Sequence, residues 1–441
     1  MKFELVSIGV VSLVVSLVAC TELVALAEQR VMSRSTLSSE DSVEAGSHAT
    51  RSSHSKTQEI SDSYFPWTHK PVCTEHLDGI GDQLCVYTNA TFSNGRGISI
   101  FTTPRIAQEF AALPPFQDPE SLSSRGINPE PDVPTQPWYT ALIRGKGMGM
   151  LAARPLQRGD LITAYTPYLL AHMENALSTH DREYYLRLAV DQLPPASRNI
   201  YLGLAKIYND PSVVAQDVVK ANAFEIQIGG LMHLAVFPES SRFNHACAPN
   251  AQYFLSSDLL THYVHAVRPV EEDEELTISY APPLRLRADR QQYFENTFQF
   301  TCTCPRCSPE SYSGHKHHHH KHRTVEDSDR ATQDIIALQW ALAQWTANST
   351  ASVKKAEMLV RLYKEEGLDA FLDDAYGHAA LMYNSVGSAR GAKKYAKLAA
   401  EASWLKYGFE SVGQDKVREW EGIARDPTRH GSWRSRRKTE L

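Results

Sequence analysis

The chain has 441 residues, with 45 basic and 51 acidic side chains and a formal net charge of −6. Hydrophobic residues make up 42% and charged residues 22%, which excludes a wholly disordered or fibrous chain. The acidic balance argues against a globally basic nucleic-acid binder, and the length allows two or three domains.

At the N-terminus one lysine precedes an apolar stretch from about Leu5 to Ala19, and Ala25-Leu26-Ala27 supplies a small-x-small pattern. This layout predicts a secretory signal peptide over 1–27. Glu22 keeps the uncharged stretch short of the roughly 20 residues that span a bilayer. An uncleaved anchor is the alternative; after cleavage no stable membrane insertion is expected. Residues 28–62, rich in Ser, Thr, Glu, Arg and His, read as a disordered linker. Residues 63–137 form an N-terminal segment with Phe65, Pro66, Trp67, Cys73 and Cys85. In an oxidising compartment Cys73 and Cys85 would form a disulfide; two free thiols are the alternative. Asn89-Ala90-Thr91 and Asn348-Ser349-Thr350 are glycosylation sequons. Gly95–Thr103 reads as a short strand, because Ile98 and Ile100 alternate. Prolines from Pro114 to Pro137 then make a stiff connection.

From Trp138 the pattern becomes that of a β-rich domain over 138–308, and the fold class is α+β. Strands are predicted at Trp138–Ile143, Met150–Ala153, Leu231–Phe237, Tyr253–Leu255, His262–Val267 and Glu275–Tyr280. Residues 180–228 read as a mainly helical insertion. Residues 309–330 are a polar loop holding the histidine-rich run His315–His322, where weak transition-metal binding is the functional alternative. Residues 331–426 are helical. Ile335, Leu338, Leu342 and Trp345 recur on one helical face, and Gly367, Gly387 and Gly408 punctuate three further helices. Stacked helix pairs of tetratricopeptide type and a plain bundle are both allowed. Residues 427–441 form a basic tail, whose Arg434, Arg436, Arg437 and Lys438 read as a solvated, frayed terminus.

The chemistry concentrates in a few strings. Cys302-Thr303-Cys304-Pro305-Arg306-Cys307 places three thiols close together, and Cys247 is the remaining cysteine downstream of Cys85. Four thiolates make a closed tetrahedral zinc site, which is structural. A small buried hydrophobe is the alternative for Cys247. That cysteine sits inside Asn244-His245-Ala246-Cys247-Ala248-Pro249-Asn250, with Gly145-Lys146-Gly147-Met148-Gly149 upstream and Glu275-Leu276-Thr277-Ile278-Ser279-Tyr280 downstream.

In this order the motifs resemble those of the SET-domain protein lysine methyltransferases, and the C-terminal helices bring the likeness nearest to the SET-and-MYND and fungal SET proteins. Residues 154–240 contain no cysteine, so the MYND finger has no counterpart. The resemblance implies a β-rich SET domain with a post-SET zinc site, ahead of an all-α C-terminal domain. It implies S-adenosylmethionine as cofactor and a protein or peptide lysine as substrate, histone included, with no direct reading of nucleic acid. Arg144, Lys146, Gly147 and Gly149 would line the cofactor's methionine end. Asn244 and His245 would hold its adenosyl and amino groups, with Ser241 and Asn222 as further contacts and Phe300 stacking on adenine. Tyr280 would be the catalytic residue, orienting the lysine amine. The usual members are nuclear or cytosolic, whereas the leader points to the secretory pathway or outside the cell. A secreted, non-catalytic zinc-containing interaction protein is therefore the alternative.

Overall fold

The computed structural model describes residues 64–129, 136–308, 324–346, 349–408 and 411–436. The predicted leader, the linker 28–62, the run His315–His322 and Asn348 lie outside the described residues. Three short strands open the fold: β1 (Val72–Cys73), β2 (Cys85–Asn89) and β3 (Ile98–Thr102). Cys73 pairs across from Cys85, and the two form a disulfide. Every residue of β3 is buried, so this strand needs cover on both faces. Helix α1 (Pro104–Ala111) supplies part of it. It starts with proline at the first position, and the Thr103 side chain accepts from the Ile106 N–H. Ile106, Ala107 and Phe110 then join Ile98 and Ile100 in one core.

The next strands are β4 (Trp138–Ile143), β5 (Gly147–Ala152), β6 (Leu161–Tyr165) and β7 (Leu169–His172). Helices α2 (Thr179–Asp191), α3 (Pro195–Leu202) and α4 (Val214–Asn222) follow, and then β8 (Ala223–Ile228) and β9 (Leu231–Val236). The helical expectation thus holds as far as Asn222. Beyond it Ala223–Ile228 alternates with period two, and Gly229-Gly230, with φ of +57° and +80°, turns the chain back into β9. β3 pairs in parallel with β7, giving a six-stranded sheet in the order β1-β2-β3-β7-β9-β8. The N-terminal segment therefore shares a sheet with the domain that follows. Leu186, Ala189, Val190 and Val218 of the inserted helices cover Phe101, Leu169 and Val236 of that sheet.

The remaining strands are β10 (Asn244–His245), β11 (Ala251–Ser256), β12 (Thr261–Ala266) and β13 (Glu275–Ile278). They build two smaller sheets, β10-β13-β5-β4 and β11-β12-β6. Helix α5 (Arg287–Phe298) ends at Gln299 in a left-handed conformation. Five helices complete the described chain: α6 (Val325–Ala343), α7 (Val353–Glu365), α8 (Leu372–Ser385), α9 (Ala389–Tyr407) and α10 (Ser411–Arg425). Thr324 and Asp327 form a capping box at the start of α6, and Gly367 ends α7 with φ of +67°. Ile335, Leu338 and Leu342 are buried as expected. Trp345 is not: the helix stops at Ala343, and this ring lies 46% exposed beneath the Arg436 guanidinium. The tail also departs from expectation over its described part. The backbone N–H groups of Arg434 and Arg436 donate to the C-terminal carbonyls of Asn384 and Ser385 on α8. Arg436 donates further to the Gln344 carbonyl at 2.7 Å. Unpaired carbonyls at helix ends are the reason this basic segment docks rather than frays. Among the described residues no helix is long and apolar enough to cross a membrane.

Candidate active site and metal centre

The site is assembled where β10 lies beside β13. The pairing is parallel, with Asn244 opposite Thr277 and His245 opposite Ile278. Asn250 fixes it: its amide donates to the Glu275 carbonyl at 2.9 Å, and its oxygen accepts from the Thr277 N–H at 2.8 Å. β13 also pairs with β5, which brings the hairpin Arg144-Gly145-Lys146 to the same edge. Gly145 and Gly147, with φ of +76° and +80°, leave open space where side chains would stand. Glu275 ties the hairpin to Asn244. One carboxylate oxygen takes the Lys146 ammonium at 2.5 Å, and the other accepts from the Asn244 amide at 2.9 Å.

His245 is buried, and its Nδ1 accepts from the Tyr280 N–H at 3.0 Å. The ring proton therefore sits on Nε2, which faces Cys247 Sγ at 3.2 Å. Burial lowers the pKa of this imidazole to about 4, in keeping with a neutral ring. Tyr280 donates its hydroxyl proton to the Phe243 carbonyl at 2.5 Å. Burial first, and the Glu275 carboxylate second, hold this phenol well above its ordinary pKa. Its ring lies 5.3 Å from Phe298 and edge-on to Phe300 at 6.5 Å. Phe300 has one face against Phe294 at 5.2 Å and lies 6.3 Å from His245.

The other predicted residues are spread around this group. Arg144 is exposed on the hairpin. Ser241 donates to the Phe237 carbonyl within the turn that leads to Asn244. Asn222 is buried at the end of α4, and its amide donates to the carbonyls of Ala205 and Val218. Those bonds explain its residue type by local structure. Glu275 and Asn250 stand in the motif strings without a role of their own there, and Phe243 and Phe298 join the site only through the fold. Glu275 carried a faint sign, as a charged residue opening a strand whose next residues are apolar. Phe243 acts through its carbonyl, which no residue type announces.

The four cysteines converge as the spacing implied. All are buried, and their sulfurs lie within 4.8 Å of one another. Zinc bonded to sulfur at about 2.3 Å in a tetrahedron separates its ligands by roughly 3.8 Å. Cys247 and Cys307 Sγ are 3.6 Å apart, so the cluster fits that ion. Arg290, nearly fully buried, points Nη2 at Cys307 Sγ from 3.6 Å and offsets thiolate charge. Hydrogen bonds from the neighbouring thiols, Cys247 first, hold Cys304 well below its ordinary pKa, while hydrogen bonds with Cys302 first, then Cys304 and Cys307, push Cys247 up. The cluster thus shares protons that a bound ion would displace.

With this geometry established, the comparisons are specific. Residues 147–281 match the family model described as SET domain. Three relatives show where the likeness lies. The histone-lysine N-methyltransferase set5 of Schizosaccharomyces pombe is 30% identical over 40% of this chain and 52% of its own length. The N-lysine methyltransferase SMYD2 of Homo sapiens is 31% identical over 30% of this chain and 26% of its own. The histone-lysine N-methyltransferase SMYD3 of Mus musculus is 30% identical over 27% of this chain and 25% of its own. The chain therefore spans between about a quarter and a half of the length of these curated relatives.

Proposed function

We propose that the chain transfers a methyl group from S-adenosylmethionine to the lysine side chain of a protein. The observation that carries this reading is the juxtaposition of Tyr280, His245 and Asn244 beside an open glycine hairpin. That hairpin leaves open space beside Gly145 and Gly147, and Glu275 ties it to Asn244, the neighbour of His245. When bound, the cofactor supplies an electrophilic sulfonium methyl. Arg144 and the backbone of Lys146 and Gly147 would hold its methionine end. The Lys146 ammonium is engaged by Glu275.

Tyr280 spends its hydroxyl hydrogen on the Phe243 carbonyl as a hydrogen bond, so its oxygen still offers lone pairs to an incoming amine. An ordinary lysine has a pKa of about 10.4, so roughly one in 1000 is neutral near pH 7.4, a cost of about 4 kcal/mol. Walls formed by Tyr280, Phe298 and Phe300 lower that cost, because desolvation disfavours the ammonium. Glu275 does not undo this, since Lys146 and Asn244 occupy its carboxylate. The test is cofactor binding by calorimetry, followed by methyl transfer to histone-tail peptides and to a lysine-peptide library. Tyr280→Phe should bind cofactor normally and lose at least about a hundredfold in rate. No binding at millimolar cofactor would overturn the reading.

The Cys73–Cys85 disulfide favours a second reading, concerning compartment. The leader would export the chain, and Asn89, whose side-chain oxygen accepts from Thr91 at the end of β2, would carry a glycan. Protein from its native host should then start near Glu28 and shift on glycosidase treatment. An intact N-terminus with bare Asn89 would place it in the nucleus or cytoplasm instead.

A further inference from the structure

We propose that the C-terminal helices are a working part of the metal centre, and that Arg306 is the residue through which they hold it. Arg306 stands between two of the cysteines, in Cys304-Pro305-Arg306-Cys307, and is 6% exposed. One arm of its guanidinium, Nη1, donates to the carbonyls of Cys247 and Pro283, each at 3.2 Å. The other arm reaches the helices. Nη2 donates to Thr332 Oγ1 on α6 at 3.0 Å, and Nε pairs with the Glu366 carboxylate beyond α7 at 3.2 Å. Glu366 is itself 5% exposed and accepts from the Ser328 hydroxyl of α6.

Two neighbouring contacts repeat the connection. The Arg287 N–H donates to Asp329 of α6 at 2.8 Å, and its Nε donates to the Cys307 carbonyl at 2.8 Å. Next to Glu366, Gly367 approaches so closely that a Cβ there would touch the Ala248 methyl at 3.4 Å.

Electrostatics explains why an arginine serves here. A zinc ion with four thiolates carries a net charge of −2. Arg290 and Arg306 bring two positive charges into the same interior; Arg290 reaches Cys307 Sγ, and Arg306 is paired with a buried anion of its own. Glu366 is that anion, and it belongs to the helical domain. Drawing α6 and α7 away would strand buried charge on both sides and release the Cys247 carbonyl from its donor. Arg306 is thus a positioning residue for the loop that bears Cys247. The inference rests on the fit of the ion to the four thiols, not on the methyl-transfer reading, and its test involves no methyl transfer.

The experiment measures zinc content and the rate of zinc release to a chelator in the full-length chain. All variants are read at a temperature where circular dichroism shows them folded. Wild type should hold about one zinc per chain; none would overturn the proposal. Glu366→Gln should release zinc about tenfold faster, the scale on which residues behind metal ligands act. Lys406→Met is the control. It breaks the buried Lys406–Asp373 pair in the same helices, which does not touch the cysteines, and should leave the release rate unchanged. The double variant R306M/E366L replaces the pair by apolar groups, which restores the fold but not the grip on Cys247, so release should stay fast. Wild-type release from Glu366→Gln, or equal acceleration in Lys406→Met, would show that the helices contribute bulk stability alone.

Discussion

Gly149 stands where a side chain has no room. A Cβ there would lie 2.5 Å from Ile143 Cγ1 and 2.7 Å from the Asn244 amide nitrogen. Gly149→Ala should therefore push Asn244 off Glu275, cost about 1–3 kcal/mol of stability and weaken cofactor binding. Thermal melts and calorimetry would check this; unaltered affinity would remove the hairpin from the cofactor site. Tyr280 yields a pH prediction. Its raised pKa keeps the phenol protonated through the range in which substrate lysines lose their proton. The rate should climb about tenfold per pH unit below the lysine pKa and show no alkaline fall before about pH 10. A descending limb near pH 8 would mean that a phenolate forms and harms the reaction. At this scale the meeting of Asn244, His245, Tyr280 and the four cysteines was legible, because these residues stand in short, dense motifs. Phe243 and Arg306 were not: one acts by its backbone, and the other by partners 26 and 60 residues away.

The sheets carry consequences of their own. β1 has only two residues, and the disulfide attaches it to β2. Replacing Cys73 and Cys85 by serine should cost roughly 3 kcal/mol, read as a lower melting temperature that wild type reproduces under reductant. Buried histidines on β9 and β12 set the response to acid. His233 accepts from Thr102 and donates to the Leu231 carbonyl, while His262 is packed among Phe224, Phe237 and Tyr253. Burial lowers the pKa of His233 and His265 to about 4 and of His262 to about 3. The unfolded chain, with histidine near 6.5, binds more protons than the fold throughout that interval. Stability is therefore complete above about pH 6.5 and is lost as pH falls toward 4, by about 1.4 kcal/mol per unit for each histidine. Melts from pH 7.5 to 4.5 should show this slope, and a flat profile would contradict it. Strand patterns read well where polar and apolar residues alternate, as in Glu275-Leu276-Thr277-Ile278 of β13. β8 shows the limit: it follows a helix without a break.

Across the whole molecule the cysteine cluster joins parts that the chain keeps apart. It holds the β10 loop, the segment after α5 and, through Arg306, the C-terminal helices. Prolonged chelation should therefore lower the melting temperature and abolish cofactor binding together; loss of one without the other would separate metal from site. The amino-acid sequence by itself determined the α+β class, the four-cysteine set, the tyrosine after β13 and the helical C-terminal third. Each depends on residue type and short spacing, and those survive without coordinates. The tertiary structure alone decided that the N-terminal strands complete the large sheet, that Glu275 joins the hairpin to Asn244, and that the basic tail caps α8. It also decided that Arg306 finds its counter-charge on another domain. Such pairings depend on how distant segments meet, and burial then selects among partners that local pattern cannot rank.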